Sequence, residues 1–254
     1  MKKKPLIIGH RGCIGDRYPI ENTIAAFKFA LDHKVHGIEI DVHLTKDKWL
    51  VVHHDKNIER ITGYDKEIAN NSLDFLQLNN MQEKVPTLLQ SLKAIQPYFV
   101  KNPSLIVNIE LKDNADPDEL CNVLEDFIIN KSFGYNNFII SSFDMDVLIK
   151  LNNINDDLLI GVLTAHDNEM SIDDIVDKIG FTPFSIHPVS YLIDQDYIDA
   201  AADFGIKVIA WATENLPEDL TVESESVLIK NLVDLGVFAI ITNYPDKVNN
   251  LIYK

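Results

Sequence analysis

Short apolar, β-rich runs alternate with longer amphipathic segments from one end of this 254-residue chain to the other. No other feature of the sequence limits the fold as strongly. Eight runs read as strands: Leu6–Gly9, Gly37–Val42, Leu105–Leu111, Phe138–Ser142, Leu158–Leu163, Phe184–His187, Lys207–Trp211 and Phe238–Thr242. Trp49–His54 reads as a hairpin-like continuation of the second. Between them, Glu21–His33 carries Ile24, Phe27, Ala30 and Leu31 at helical spacing. Asp116 before Pro117, Asp144 and Asp194 have the chemistry of helix starts. Strands alternating with helices over this length predict an α/β protein, a single (β/α)8 TIM barrel spanning residues 1–254. A doubly wound open sheet shares the same periodicity and stays open as the alternative. Lys56–Pro86 is the least regular stretch and reads as a long connection with a small helix.

The charge balance narrows the partners. Asp and Glu number 39 against 23 Lys and Arg, a formal net charge of -16. Such a surface repels polyanions, so no nucleic-acid partner is expected. An anionic small molecule needs a local cationic patch or a bound metal to offset that field. Cys13 and Cys121 are too few for a disulfide framework. The apolar run after the basic start is too short for a signal core, and no stretch approaches a membrane span. The expectation is a cytoplasmic protein with no stable membrane insertion.

Buried strands should be apolar, so polar residues within them carry the information. Glu39 and Asp41 flank Ile40, and a period of two turns both carboxylates to one side. Glu110 ends an apolar strand with Lys112 two residues on; His10 ends the first strand, and His54-Asp55 end the run Leu50–Val52. In a parallel barrel the carboxyl ends of the strands share one face, so these side chains should converge there. Three carboxylates together repel unless a hard divalent cation, Mg2+ or Ca2+, takes them as oxygen ligands. Two histidines suit proton transfer, and Arg11 and Lys112 supply local positive charge within an otherwise acidic chain. Singly, each has a plainer reading: a strand-end histidine is usually structural, and Glu110 with Lys112 could be a same-face ion pair. Their shared placement favours function.

At these residues the sequence resembles the glycerophosphodiester phosphodiesterases. Gly9-His10-Arg11-Gly12, Glu21-Asn22-Thr23, Glu39-Ile40-Asp41-Val42, Val51-Val52-His53-His54-Asp55, Ile109-Glu110-Leu111-Lys112, Ser141-Ser142-Phe143-Asp144 and Ile241-Thr242-Asn243-Tyr244-Pro245 follow that family's ordered motifs over nearly the whole chain. The resemblance implies Glu39, Asp41 and Glu110 as metal ligands, and His10 and His54 as the acid–base pair. It also implies Arg11 and Lys112 as phosphate contacts. Trp211 is a candidate substrate-pocket residue, with core packing as the competing reading. Asn22 is either a neighbour of the metal site or a helix cap, and the role of His187 is open. The implied reaction is metal-dependent hydrolysis of a small-molecule glycerophosphodiester to sn-glycerol 3-phosphate and an alcohol, with His10 as base and His54 as acid. A lysophospholipase D or sphingomyelinase-D-like activity on the same fold is the nearest rival, and a non-catalytic metal-binding barrel the next. The departures are few: Ile20 intervenes before Glu21, Asn243 stands where an aspartate is common, and Trp211-Ala212-Thr213 differs slightly. His53 beside His54 leaves a choice that Asp55 and strand alternation resolve toward His54.

Overall fold

The computed structural model describes residues 3–78, 84–128, 134–165, 170–211 and 222–253. Among these residues nine strands form one sheet: β1 (Leu6–Gly9), β2 (Gly37–Leu44), β3 (Leu50–Val52), β4 (Ile106–Leu111), β5 (Phe138–Ser142), β6 (Leu159–Thr164), β7 (Ser185–Pro188), β8 (Lys207–Trp211) and β9 (Ala239–Thr242). The helices are α1 (Ile24–Asp32), α2 (Glu59–Thr62), α3 (Leu73–Leu76), α4 (Leu88–Lys101), α5 (Pro117–Ile128), α6 (Met145–Ile154), α7 (Ile172–Ile179), α8 (Gln195–Asp203), α9 (Val222–Leu235) and α10 (Pro245–Tyr253). β1 pairs in parallel with both β2 and β9, which closes eight parallel strands into a ring. That closure is what separates a (β/α)8 barrel from an open doubly wound sheet, and the protein is a single TIM barrel. β3 alone runs antiparallel, returning on β2 through Val42–Val52 and Leu44–Leu50, as the hairpin-like run predicts.

Strand alternation sorts side chains between two cores. Ile7, Ile38, Ile40, Val107, Ile109, Ile140 and Val208 face outward and pack with helix residues such as Phe27, Leu92, Leu124 and Leu148. Ile8, Ile139, Ile209, Ala239 and Ile241 face inward and fill the barrel with Leu6, Leu159 and Phe238. Glu39, Asp41, Asn108 and Glu110 alternate with outward-facing residues, so their side chains enter the barrel.

Helix starts follow local chemistry. Thr23, Asp144 and Asp194 cap α1, α6 and α8 through side-chain oxygens, and Thr87 with Gln90 makes a reciprocal capping box on α4. The first helix begins at Ile24 and not at Glu21, because Asn22 adopts a left-handed turn at φ 56°. The connection after β3 is more ordered than its sequence suggests. Two short helices and a 3-10 turn hold a small core of Val51, Ile58, Ile68, Leu76 and Val85. Residues 79–83 of that connection lie outside the described residues, as do Ala212 and Thr213.

One interior residue has a measurable cost. His187 is fully buried on β7, with Nε2 2.8 Å from Ser185 Oγ. Gly161 makes room for it, since a Cβ there would meet Nε2 at 2.5 Å. Burial pushes the ring from 6.5 down to about 3. Below pH 6.5 the unfolded chain therefore takes up a proton that the folded chain refuses. Stability should fall by about 1.4 kcal/mol per pH unit for this residue until the pH nears 3. His53, pushed down to about 4 by burial, acts in the same direction. Urea unfolding at pH 7 and pH 5 should show a shallower acid loss for His187→Gln than for the parent. Equal losses would mean that the folded state already carries the proton.

Candidate active site

The three carboxylates meet at the carboxyl ends of β2 and β4, where Asp41 and Glu110 are register partners. One oxygen from each of Glu39, Asp41 and Glu110 lies within 4.8 Å of the others. Burial, with Asp41 close by, pushes the Glu39 carboxyl well above its ordinary value. Burial likewise pushes Glu110 up to about 7, although Lys112 acts against it. For Asp41, burial is outweighed by Lys112 and Arg11, which hold its carboxyl far below the usual range. Glu39 Oε2 accepts the Arg11 backbone N–H at 2.8 Å, but Glu39 Oε1 is buried with no hydrogen-bond partner among the described residues. An all-oxygen cluster with an orphaned acceptor fits a hard divalent cation.

The cations are already engaged. Lys112 Nζ pairs with Glu110 and lies 2.7 Å from Asp41 Oδ1. Arg11 Nε lies 3.2 Å from Asp41 Oδ2, and its terminal nitrogen donates to Glu21 at 2.9 Å. Arg11 takes φ 50° and Gly12 φ 81°, a turn in which the Gly12 N–H donates to the Gly9 carbonyl at 3.1 Å. A Cβ on Gly12 would meet the Ala26 backbone at 2.6 Å, so this position requires glycine. Asn22 resolves toward the carboxylates: its Nδ2 donates to Asp41 Oδ2 at 2.8 Å, while Thr23 does the capping.

Each histidine is fixed by a different kind of partner. His10 Nδ1 lies 2.6 Å from Asn243 Oδ1, an amide oxygen that can only accept, so Nδ1 carries the proton. His10 Nε2 then points toward the cluster, 3.9 Å from Glu39 Oε2. His54 Nδ1 lies 2.7 Å from Asp55 Oδ1. Asp55 is held by Arg60 Nε at 2.7 Å, and Arg60 also reaches Glu21 at 2.9 Å. Asp41, Arg11, Glu21, Arg60 and Asp55 thus form one unbroken chain of alternating charge that ends on the His54 ring. His43 adds a further tie, with Nε2 3.0 Å from the His54 carbonyl. His53 turns away into the protein, its Nε2 3.3 Å from the Asn57 carbonyl.

His10, Arg11, Glu39, His54, Glu110 and Lys112 line one cavity of about 70 Å³. Its remaining wall is Phe143, Leu163, Trp211 and Ile241, with Asn108 among the polar groups. Trp211 serves both readings: it lines this cavity and packs on the barrel core, with Nε1 donating to the His187 carbonyl at 2.9 Å. His187 itself is not part of the lining. Phe143, 44% exposed, meets Trp211 edge-on at 6.4 Å between centroids. A larger groove of about 510 Å³ lies at the opposite end of the barrel, between Lys3, Leu6, Asp199 and Phe238. It has none of the clustered carboxylates, so chemistry belongs to the smaller cavity. Sequence reasoning assigned no role to Asn108, Asn243, Arg60, His43 and Phe143. Of these, Asn108 and His43 carry the signal of a polar residue inside an apolar strand.

The family model for the glycerophosphoryl diester phosphodiesterases matches residues 10–247. A glycerophosphodiester phosphodiesterase of Caldanaerobacter subterraneus subsp. tengcongensis is 28% identical over 263 residues, covering 99% of each chain. A lysophospholipase D of Homo sapiens is 32% identical over 117 residues, 42% of this chain and 36% of its own. Among solved structures, an Oleispira antarctica phosphodiesterase in complex with its product sn-glycerol-3-phosphate has a TM-score of 0.77 at 22% identity, over 99% of this chain and 98% of that one. At that identity the likeness is one of fold.

Proposed function

Since the match runs from residue 10 to residue 247, this chain belongs to the glycerophosphoryl diester phosphodiesterase family, and from that premise we propose that it hydrolyses glycerophosphodiesters to sn-glycerol 3-phosphate and an alcohol. The observation that carries the proposal is the convergence of two oppositely partnered histidines on a three-carboxylate cluster in one cavity. The product held by the Oleispira antarctica relative agrees with it.

Glu39, Asp41 and Glu110 would hold one divalent cation, Mg2+ or Ca2+, which when bound polarises a phosphoryl oxygen. Arg11 and Lys112 bring positive charge to the phosphodiester in a partly desolvated cavity, where it counts for more than in water. His10 Nε2 accepts the proton of the attacking oxygen, which is either water or the glycerol hydroxyl beside the phosphate; the second route gives a cyclic phosphate that water then opens to sn-glycerol 3-phosphate. His54 returns a proton to the departing alkoxide, with Asp55 orienting its ring. The role of Asn243 is to fix the tautomer of His10.

The rival reading is a lysophospholipase D. The partial likeness to the human enzyme and the apolar wall of Phe143, Leu163, Trp211 and Ile241 speak for it. Among the described residues no helix is long and apolar enough to cross a membrane. One panel decides between them: release of glycerol 3-phosphate from glycerophosphocholine, -ethanolamine, -glycerol and -inositol, set against choline release from lysophosphatidylcholine. Each is run after EDTA treatment with Mg2+ or Ca2+ restored. The proposal expects cation-dependent turnover of the deacylated substrates above the lipid. Preference for the lipid would transfer the assignment to the rival, and no turnover with either ion would point to a binding protein.

A further inference from the structure

Asn108 has no part in the chemistry above, yet it occupies the cavity. It sits on β4 beside Glu39 in register, and two residues before Glu110, so its side chain enters the barrel. It is 1% exposed. Its amide is held in one orientation: Nδ2 donates to Ser141 Oγ at 2.9 Å, from the adjoining strand β5. Asn108 Oδ1 is left buried with no hydrogen-bond partner among the described residues. An unmet buried acceptor is costly, and the cost is removed by a hydrogen-bond donor or a cation; with the cation assigned to Glu39, Asp41 and Glu110, a donor is left for Asn108.

The cavity limits what that donor can be. Glu39 and Glu110 alongside it offer oxygens, and the oxygens of a phosphodiester are acceptors as well. An O–H is therefore the group on the substrate that answers Asn108 Oδ1, and a glycerol moiety carries hydroxyls. The wall of Phe143, Leu163, Trp211 and Ile241 suits the C–H face of the same moiety. We propose that Asn108 is a specificity residue, accepting a hydrogen bond from a hydroxyl of the glycerol moiety, and that Ser141 is its positioning residue. This rests on the glycerophosphodiester reading and adds the group that selects glycerol over a bare alkyl chain. A site built to bond a hydroxyl discriminates strongly against the analogue that lacks it, because its own polar atom is then stranded.

The test is calorimetric binding to the full chain saturated with Mg2+ or Ca2+. The two probes are sn-glycerol 3-phosphate and n-propyl phosphate, which keeps the phosphate and the three carbons but has no hydroxyl. The parent should prefer glycerol 3-phosphate by at least about 10-fold, the usual size of one buried hydrogen bond to a ligand. Asn108→Leu should reduce the preference to within about 3-fold by weakening glycerol 3-phosphate alone. Ser141→Ala, a milder change, should reduce it by an intermediate amount because the amide is then free to turn. Four results would overturn the assignment: no preference in the parent, equal weakening of both probes by Asn108→Leu, an unchanged ratio in Ser141→Ala, or loss of cation affinity in Asn108→Leu. The last would make Asn108 a metal ligand. Turnover of glycerophosphocholine by the parent, measured in parallel, reads the functional assignment separately. If that fails while the binding ratio holds, only the reaction is wrong.

Discussion

Alanine at His10 or at His54 is expected to lower kcat/KM for glycerophosphocholine by about 10²-fold or more, the scale of a general acid or base. The two variants should then part company on a substrate whose leaving group needs no proton. A glycerophospho-nitrophenol departs as a stable phenolate, so His54→Ala should recover most of its loss there, while His10→Ala should not. The partners of the two rings carry this asymmetry: an amide oxygen at His10 and a carboxylate at His54. Asn243→Asp tests it from the other side. It places a carboxylate against His10 Nδ1 and so favours the imidazolium. A base works only when deprotonated, so the acid limb of kcat/KM should move to higher pH, by about one unit. Identical losses on both substrates for both variants, with no movement of that limb, would dissolve the assignment of base and acid.

Much of the barrel was legible because parallel strands covered on both faces read as continuous apolar runs. The ring closure was not, since periodicity records each strand and says nothing of which strands are neighbours. The segment from Lys56 to Pro86 reads as holding one small helix where the structure has two, for a related reason. Ile58, Ile68 and Leu76 are spaced to fill a small core over β3, and that spacing has no helical or strand period. The start of α1 shifted by three residues because Glu21, Asn22 and Thr23 each serve a different end: an ion pair, a contact to Asp41 and a cap.

In the site, Glu39, Asp41 and Glu110 stood out because charges inside an apolar strand demand partners. Asn108 sits between Val107 and Ile109 with the same signature, but a neutral amide makes no such demand until its surroundings are known. Arg60 and Asn243 come from a short helix and a strand end, where polar residues are ordinary, and only the fold reveals that they hold Asp55 and His10. Asn243 illustrates the gap well. Its departure from the common aspartate was visible in the sequence, while its contact with the imidazole was not.

Removing the divalent cation should abolish turnover, and Glu39→Gln should do nearly the same even with Mg2+ or Ca2+ supplied. Charge stabilisation by a metal of several kcal/mol corresponds to a loss of about 10³-fold. The thermal behaviour is the sharper measurement, because two readings of Glu39 predict opposite signs. If the three carboxylates exist to hold an ion, each is a burden without it. Burial and Asp41 already push the Glu39 carboxyl far above its ordinary value, so near pH 7 its ionised form opposes folding. Glu39→Gln should then raise the Tm of EDTA-treated protein. In the parent, cation at 100 times its Kd should add about 2.7 kcal/mol of stability, and the variant should show little of that gain. If Glu39 is instead a structural acceptor for the Arg11 backbone and His10, the neutral variant loses charge-assisted contacts. Its Tm would then fall in EDTA, and the parent would gain nothing from the ion. A lower Tm for the EDTA-treated variant, together with a parent unmoved by Mg2+ or Ca2+, would remove the metal from the mechanism and leave the carboxylates as scaffolding.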